Sequence, residues 1–160
     1  MLNVTVLCVG KLKESYWQAA CAEYGKRLGA FCRLQIVEVA EERAPEHPSV
    51  AQIAGVVEAE GRRLLEKLPR DAYAIAMCIE GKEMDSPSLS ACIRQAAVEG
   101  KSHIALLIGG SFGLSEAVKT RAALRLSMSP MTFPHQLARV MVLEQVYRAF
   151  QIASGGKYHK

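Results

Sequence analysis

The residues with chemical capacity crowd into the last third of the chain. Gly109-Gly110-Ser111-Phe112-Gly113 follows an apolar run, and a second turn-rich stretch covers 127–134. His135 and Arg139 then open a long helical pattern, and Gly155-Gly156-Lys157-Tyr158-His159-Lys160 ends the sequence. Glycines after a strand let backbone N–H groups approach a ligand closely, and a phosphate is the usual ligand of such a loop. The neighbouring residues do not fit one. A P-loop needs Lys and then Ser or Thr after its last glycine, where this chain has Leu114-Ser115. A dinucleotide site needs a carboxylate about twenty residues further on for the ribose, and no Asp or Glu stands between Glu116 and Glu144. A cationic ligand without phosphate suits the loop better, because it needs close backbone approach and apolar walls rather than an anion nest.

The other candidates each have a structural and a chemical use. Ser127, Ser129 and Thr132 suit turns and helix caps, and a lone histidine such as His135 is commonly structural. The tail would ordinarily be a frayed end, yet a glycine pair followed by cation, ring and imidazole also makes an arm able to close over a nucleotide by stacking and phosphate pairing. No His, Cys, Asp or Glu group has metal-ligand spacing, so no metal is expected. The five cysteines are odd in number, scattered, and without a CxxC pair, which fits reduced core thiols in a cytoplasm rather than disulfides. Charge is uneven along the chain. Residues 1–80 hold 10 Lys/Arg against 11 Asp/Glu, and residues 81–160 hold 10 against 5. Beyond Glu116 a single acid, Glu144, faces seven basic residues, a balance that favours a polyanionic partner or a solvated basic face.

These groups need a scaffold, and the pattern predicts an α/β one. Apolar runs predict strands at 2–9, 34–39, 72–79 and 104–108. Helical spacing predicts helices at 15–28, at 50–68 behind a Ser49 cap, and, after a turn at Gly81, one reaching Val98 with Ser86 as its cap and Pro87 as its first residue. At 160 residues the chain is expected to form one domain spanning 1–160. Alternation of strands and helices implies a mostly parallel sheet covered on both faces, with ligands beyond the carboxyl ends of its strands, at the loops around 79–82 and 109–113 and the turn at 127–134. In the last helix Val142, Val146, Ala149, Phe150 and Ala153 share a face that continues to His135 and Arg139. Leu137, Val140, Met141 and Tyr147 make the opposite side apolar too, as in a helix buried by two partners, the second being another subunit. The opening lacks a basic leader, and no stretch is long enough to span a bilayer, so the chain is expected to be soluble and cytoplasmic.

The run Leu107-Ile108-Gly109-Gly110, the motif Ser127-Met128-Ser129-Pro130-Met131-Thr132-Phe133-Pro134-His135-Gln136-Leu137-Ala138-Arg139-Val140, the run Glu144-Gln145-Val146-Tyr147-Arg148-Ala149 and the final Tyr158-His159 closely resemble the bacterial RlmH family. The likeness covers essentially the whole chain. Pro130 stands where family members more often carry Ala or another small residue. The resemblance implies a SPOUT-superfamily methyltransferase that modifies N3 of a pseudouridine in 23S ribosomal RNA, on the assembled ribosome and as a homodimer. It implies a parallel sheet whose C-terminal segment forms a trefoil knot, which the general rule against knots would not have suggested. It also implies S-adenosylmethionine among three knot loops, touching Met77, Gly109, Met128, Ser129, Pro130, Met131, Thr132 and Phe133. His135 or His159 is then the candidate base for the N3 proton, Arg139 a holder of substrate oxygen or phosphate, and Tyr158 part of the closing arm. Whether Tyr158 and His159 serve their own subunit or its partner stays open at this stage. So do two rivals: a SPOUT enzyme acting on tRNA, and a non-catalytic RNA-binding or ribosome-assembly factor that keeps the fold.

Overall fold

The computed structural model describes residues 1–160. In chain order the elements are β1 (Leu2–Val9), α1 (Ser15–Leu28), β2 (Cys32–Val39), α2 (Val50–Lys67), β3 (Tyr73–Glu83), α3 (Ser86–Val98), β4 (His103–Ile108), α4 (Glu116–Arg121), β5 (Leu124–Ser127) and α5 (His135–Ala153). The five strands form one sheet in the order β2-β1-β4-β3-β5, and every pairing is parallel. Parallel strands need helical crossovers, and those helices cover both faces.

The unbroken apolar runs of β1 and β4 follow from this burial. Val4, Val6 and Cys8 of β1, with Ile104 and Leu106 of β4, pack on the face covered by α1, α3 and α5. Leu7 and Val9, with Ala105 and Leu107, pack on the face covered by α2 and α4. Leu7, Leu107, Ile75 and Ile104 are fully enclosed, and burial of each such side chain contributes about 1.5–3 kcal/mol. On the first face α5 lies across α1 and α3, with Val142, Leu143, Val146 and Ala149 against Cys21, Leu28, Leu89, Ile93 and Ala96. Ser90 Oγ donates to the Ala149 carbonyl at 2.7 Å, so α3 and α5 meet closely.

The helix starts explain themselves locally. Ser49 accepts from the Gln52 N–H while the Gln52 side chain reaches back to the Ser49 N–H, a capping box that starts α2. At α3 the cap is Asp85, whose carboxylate accepts from the Ser88 N–H at 2.8 Å. Ser86, expected as the cap, is the first helical residue instead, and its hydroxyl is drawn to Gln145 of α5 at 2.7 Å. At α5 the cap position is Pro134, with no side-chain cap bond. Ser127, expected in a turn, is instead the last residue of the strand Leu124–Ser127, its Oγ donating to the Ser129 carbonyl at 3.1 Å; Ser129 lies in the loop beyond, and its Oγ accepts from the Met131 N–H at 3.0 Å.

Two further differences matter for the site. The fifth strand, Leu124–Ser127, and the short helix before it were not expected. The strand is four residues long, too short for periodicity to declare it. Gly81 does not turn the chain; it lies within β3. The β3–β5 ladder slips between Met77 and Lys82, which both pair with Leu126, so residues 78–81 bulge from the sheet. A Cβ on Gly81 would lie 2.8 Å from backbone atoms of Arg125 and Leu126. Close approach of two backbones, not a turn, requires glycine here. Beyond the sheet, α3 leaves β3 on one face while α4 leaves β4 on the other. The connections part at this point, and the crevice between them is where ligands bind in such sheets.

Candidate functional site

A cavity of about 810 Å³ fills that crevice. The carboxyl end of β3 supplies Met77 and the bulge, β4 supplies Ile108 and the glycine loop, and β5 leads into the 127–134 loop, which runs to His135 at the start of α5. The glycine loop is tightly made. Gly113 has φ +85° and donates its N–H to the Gly110 carbonyl at 3.1 Å. A Cβ on Gly109 would sit 2.6 Å from the Gly113 carbonyl carbon, so the loop folds back on itself only with glycine there.

Of the residues expected at the cofactor, Met77, Gly109, Met128 and Ser129 line the cavity, as do Met131, Thr132 and Phe133. Pro130, at the outer edge of the same loop, is exposed and does not. His135 is half-buried in the wall. Ile79, Phe112 and Met131 are exposed apolar side chains, and all three stand around this cavity. Two lining residues carry opposite charge, Glu80 and Lys119; Glu80 falls in the 79–82 stretch expected to meet ligand, while Lys119 was not singled out from sequence. They form an ion pair, with Glu116 Oε1 3.5 Å from the same ammonium. The bond to Lys119 holds the Glu80 carboxyl below its ordinary range, and the same bond raises the Lys119 ammonium. The i,i+3 spacing of Glu116 and Lys119 was readable; that β3 would bulge and bring Glu80 to them was not.

Arg139 and the tail residues are placed elsewhere. Arg139 is buried, its Nη1 2.6 Å from Glu38 Oε2 and its Nη2 donating to the Gly10 carbonyl at 3.1 Å, so it ties α5 to the ends of β1 and β2. The tail folds back on α5 of its own chain. The Tyr158 ring meets Tyr147 edge-on at 4.9 Å, the Arg148 guanidinium lies 4.6 Å from the Tyr158 ring centre, and the Tyr158 hydroxyl donates to Glu144 at 3.0 Å. Burial, then the bond to Glu144, pushes the Tyr158 phenol up to about 12. His159 Nδ1 is 3.2 Å from Arg148 Nη1. His159 lines a second cavity of about 510 Å³, which shares Met77, Leu126, Ser127 and Met128 with the first. One imidazole therefore stands at each of two adjoining cavities.

Beneath the glycine loop lies a group that sequence reasoning missed. Glu60 of α2 is buried; its Oε2 accepts from the Glu42 N–H at 3.1 Å, and its Oε1 has no partner. A Cβ on Gly110 would come within 3.2 Å of that free oxygen. Burial raises the Glu60 carboxyl above its ordinary range. Helical position alone, between Ala59 and Gly61, gave no sign of it. No group of three or more His, Cys, Asp or Glu side chains is placed to hold a metal ion, and no helix is long and apolar enough to cross a membrane.

The arrangement is similar to that of known proteins. The chain is 50% identical over 159 residues to the ribosomal RNA large subunit methyltransferase H of Bifidobacterium adolescentis, covering 99% of this chain and 100% of that one. It is 49% identical, with the same coverage, to the ribosomal RNA large subunit methyltransferase H of Bacillus pumilus. Among solved structures, a probable methyltransferase from Bordetella pertussis Tohama I shares the fold with a TM-score of 0.59 at 16% identity, over 93% of this chain and 96% of that one. The family described as "Predicted SPOUT methyltransferase" matches residues 2–159. With all but its two terminal residues inside that match, and a cavity built from a bulge of β3 and the loops beyond β4 and β5, the chain belongs to the SPOUT methyltransferase family.

Proposed function

We propose that this chain transfers a methyl group from S-adenosylmethionine to N3 of a pseudouridine in 23S ribosomal RNA, working as a homodimer on the assembled ribosome in the cytoplasm. The observation that carries this reading is the convergence of the β3 bulge and the loops after β4 and β5 on one cavity with His135 in its wall. The relatives' shared name and the basic C-terminal half support RNA of the large subunit as substrate.

The cavity fits the cofactor. Met77, Leu126 and Phe133 offer apolar surface for a purine, Ser129 offers a hydroxyl, and one ion pair, Glu80–Lys119, stands among otherwise largely apolar walls. No set of basic residues of the kind a phosphate needs is present in the lining. When bound, S-adenosylmethionine supplies an electrophilic methyl group on a sulfonium centre. The residues must then hold the acceptor nitrogen in line, and orientation alone is worth about 7–11 kcal/mol of the barrier.

They must also remove a proton, because the neutral imide nitrogen at N3 has no available lone pair. A base with pKa near neutrality suits that step. We assign it to His135, with His159 at the adjoining cavity as the second candidate. Tyr158, packed on Tyr147 and bonded to Glu144, anchors the arm that presents His159. Arg139, already engaged by Glu38 and Gly10, acts through the position of α5 and His135 rather than on the RNA. We also read the C-terminal segment as a trefoil knot. The close packing of Gly81 on Arg125 and Leu126 supports this, since it brings the β3 bulge against the strand from which the segment departs.

Labelled methyl transfer to ribosomes lacking the modification, followed by primer extension, tests the proposal. Label with an extension stop at a pseudouridine is expected, because N3 methylation removes a Watson–Crick donor. Label on tRNA and none on ribosomes would redirect the substrate, and failure to bind S-adenosylmethionine would leave a non-catalytic RNA-binding protein.

A further inference from the structure

We propose that Glu80 and Lys119 form the subsite for the zwitterionic amino-acid end of S-adenosylmethionine, and that this pair selects against adenine nucleosides lacking that end. The inference rests on the methyltransferase reading above. Glu80 and Lys119 are the two residues of opposite formal charge that line the cavity. The rest of the lining, with Met77, Leu114, Leu126, Met128 and Phe133 among it, would accept the adenine of any such nucleoside alike. Selection must come from charge.

The two side chains are unequally placed. Lys119 is 14% exposed and Glu80 is 55% exposed. An ammonium so enclosed needs a counter-charge, and it has two, Glu80 and Glu116. Its three donors let it take a ligand carboxylate while Glu116 still neutralises it. Glu80 stands on the 78–81 bulge, outside the β3–β5 ladder, so its carboxylate can turn from Lys119 to a ligand ammonium without breaking the sheet. The ion pair therefore opens into two complementary half-sites, cation for carboxylate and anion for ammonium. A nucleoside without the amino-acid end leaves the pair closed and gains nothing from it.

Calorimetric binding of S-adenosylhomocysteine and of 5′-deoxy-5′-methylthioadenosine, to the full chain and to the variants Lys119→Met and Glu80→Gln, tests this. The first ligand keeps the amino-acid end and the second lacks it. The unmodified chain is expected to favour S-adenosylhomocysteine by about tenfold or more, and each variant to lose about tenfold on that ligand alone. Retained binding of methylthioadenosine shows that the variants are folded. Unchanged affinity for S-adenosylhomocysteine in both variants would overturn the proposal, as would equal weakening of both ligands. Binding of neither ligand to the unmodified chain would instead end the methyltransferase reading, and this inference with it.

Discussion

His135 owes its place to its neighbours. Pro134, with φ −54° and ψ 139°, sets the entry into α5, and His135 follows as the first helical residue, half-buried at the cavity wall. As a base on the acceptor it is needed after the cofactor has bound. His135→Ala should therefore lower single-turnover methyl transfer by about 10²–10⁴-fold while S-adenosylhomocysteine still binds. An unchanged rate would move the role to His159. Glu60 makes a prediction of the opposite kind, about stability. Its carboxyl is raised in the folded chain by burial, so the folded state holds the proton more tightly than the unfolded state does. Stability contributed by that proton is present at low pH and is lost as pH rises through the raised value. Glu60→Gln keeps the neutral form at every pH. Thermal unfolding should show the variant gaining on the unmodified chain as pH rises above the ordinary carboxylate range; a difference independent of pH would remove Glu60 as a buried titrating group.

At the scale of elements, glycines at two positions should respond in opposite directions. Gly81→Ala drives a Cβ to 2.8 Å from the backbone of Arg125 and Leu126, where no flexible side chain can yield. The strands must part, at about 1–3 kcal/mol by the usual range for overpacking, and the cavity walls on β3 and β5 part with them. Gly55, inside α2, meets nothing within 4 Å, so Gly55→Ala should stabilise by about 0.4–1 kcal/mol. Denaturant midpoints measure both, and a matching sign would mean that β3 and β5 are less closely packed than described. These positions also mark what was legible. The Ser49 cap, the continuous apolar strands β1 and β4 and the buried positions Val142, Val146 and Ala149 of α5 followed from local chemistry and period. Ala153, expected on that face, is exposed, and Leu143, which is buried, was not expected there. Gly81 was taken for a turn because a glycine after an apolar run usually is one; its real constraint comes from β5, more than forty positions later in the chain. The same limit hid Lys119 and Glu80 as a pair. That the 127–134 stretch lines the cavity was legible through its motif rather than through periodicity, and Pro130 shows the difference: it belongs to the motif yet lies outside the lining.

At the scale of the whole molecule, the open question is what the outer side of α5 meets. Val140 and Tyr147, expected on that side, instead pack against this chain's own core, Tyr147 meeting Tyr24 and Phe31. Leu137 and Met141 are half-buried, and the tail adds Tyr158 on Tyr147 and Arg148 over Tyr158. The tail does not reach the larger cavity of its own chain; neither Tyr158 nor His159 lines it. In the proposed homodimer, a second subunit seated on Leu137 and Met141 would bring its own larger cavity towards this anchored arm. On that proposal the arm would serve the partner, and removing 157–160 should abolish transfer while cofactor binding persists. Mixing separates the two geometries. Combine a chain lacking 157–160 with the variant His135→Ala, each inactive alone. If the arm acts across the interface, the mixed dimer has one site with both His135 and an arm, and random exchange restores about a quarter of the sites of the unmodified enzyme. If the arm acts within its own chain, every site in the mixture lacks one group. Recovery of methyl transfer on mixing is the expected result, and its absence, with mixed dimers demonstrated, would place the arm at the smaller cavity of its own subunit, where His159 already stands.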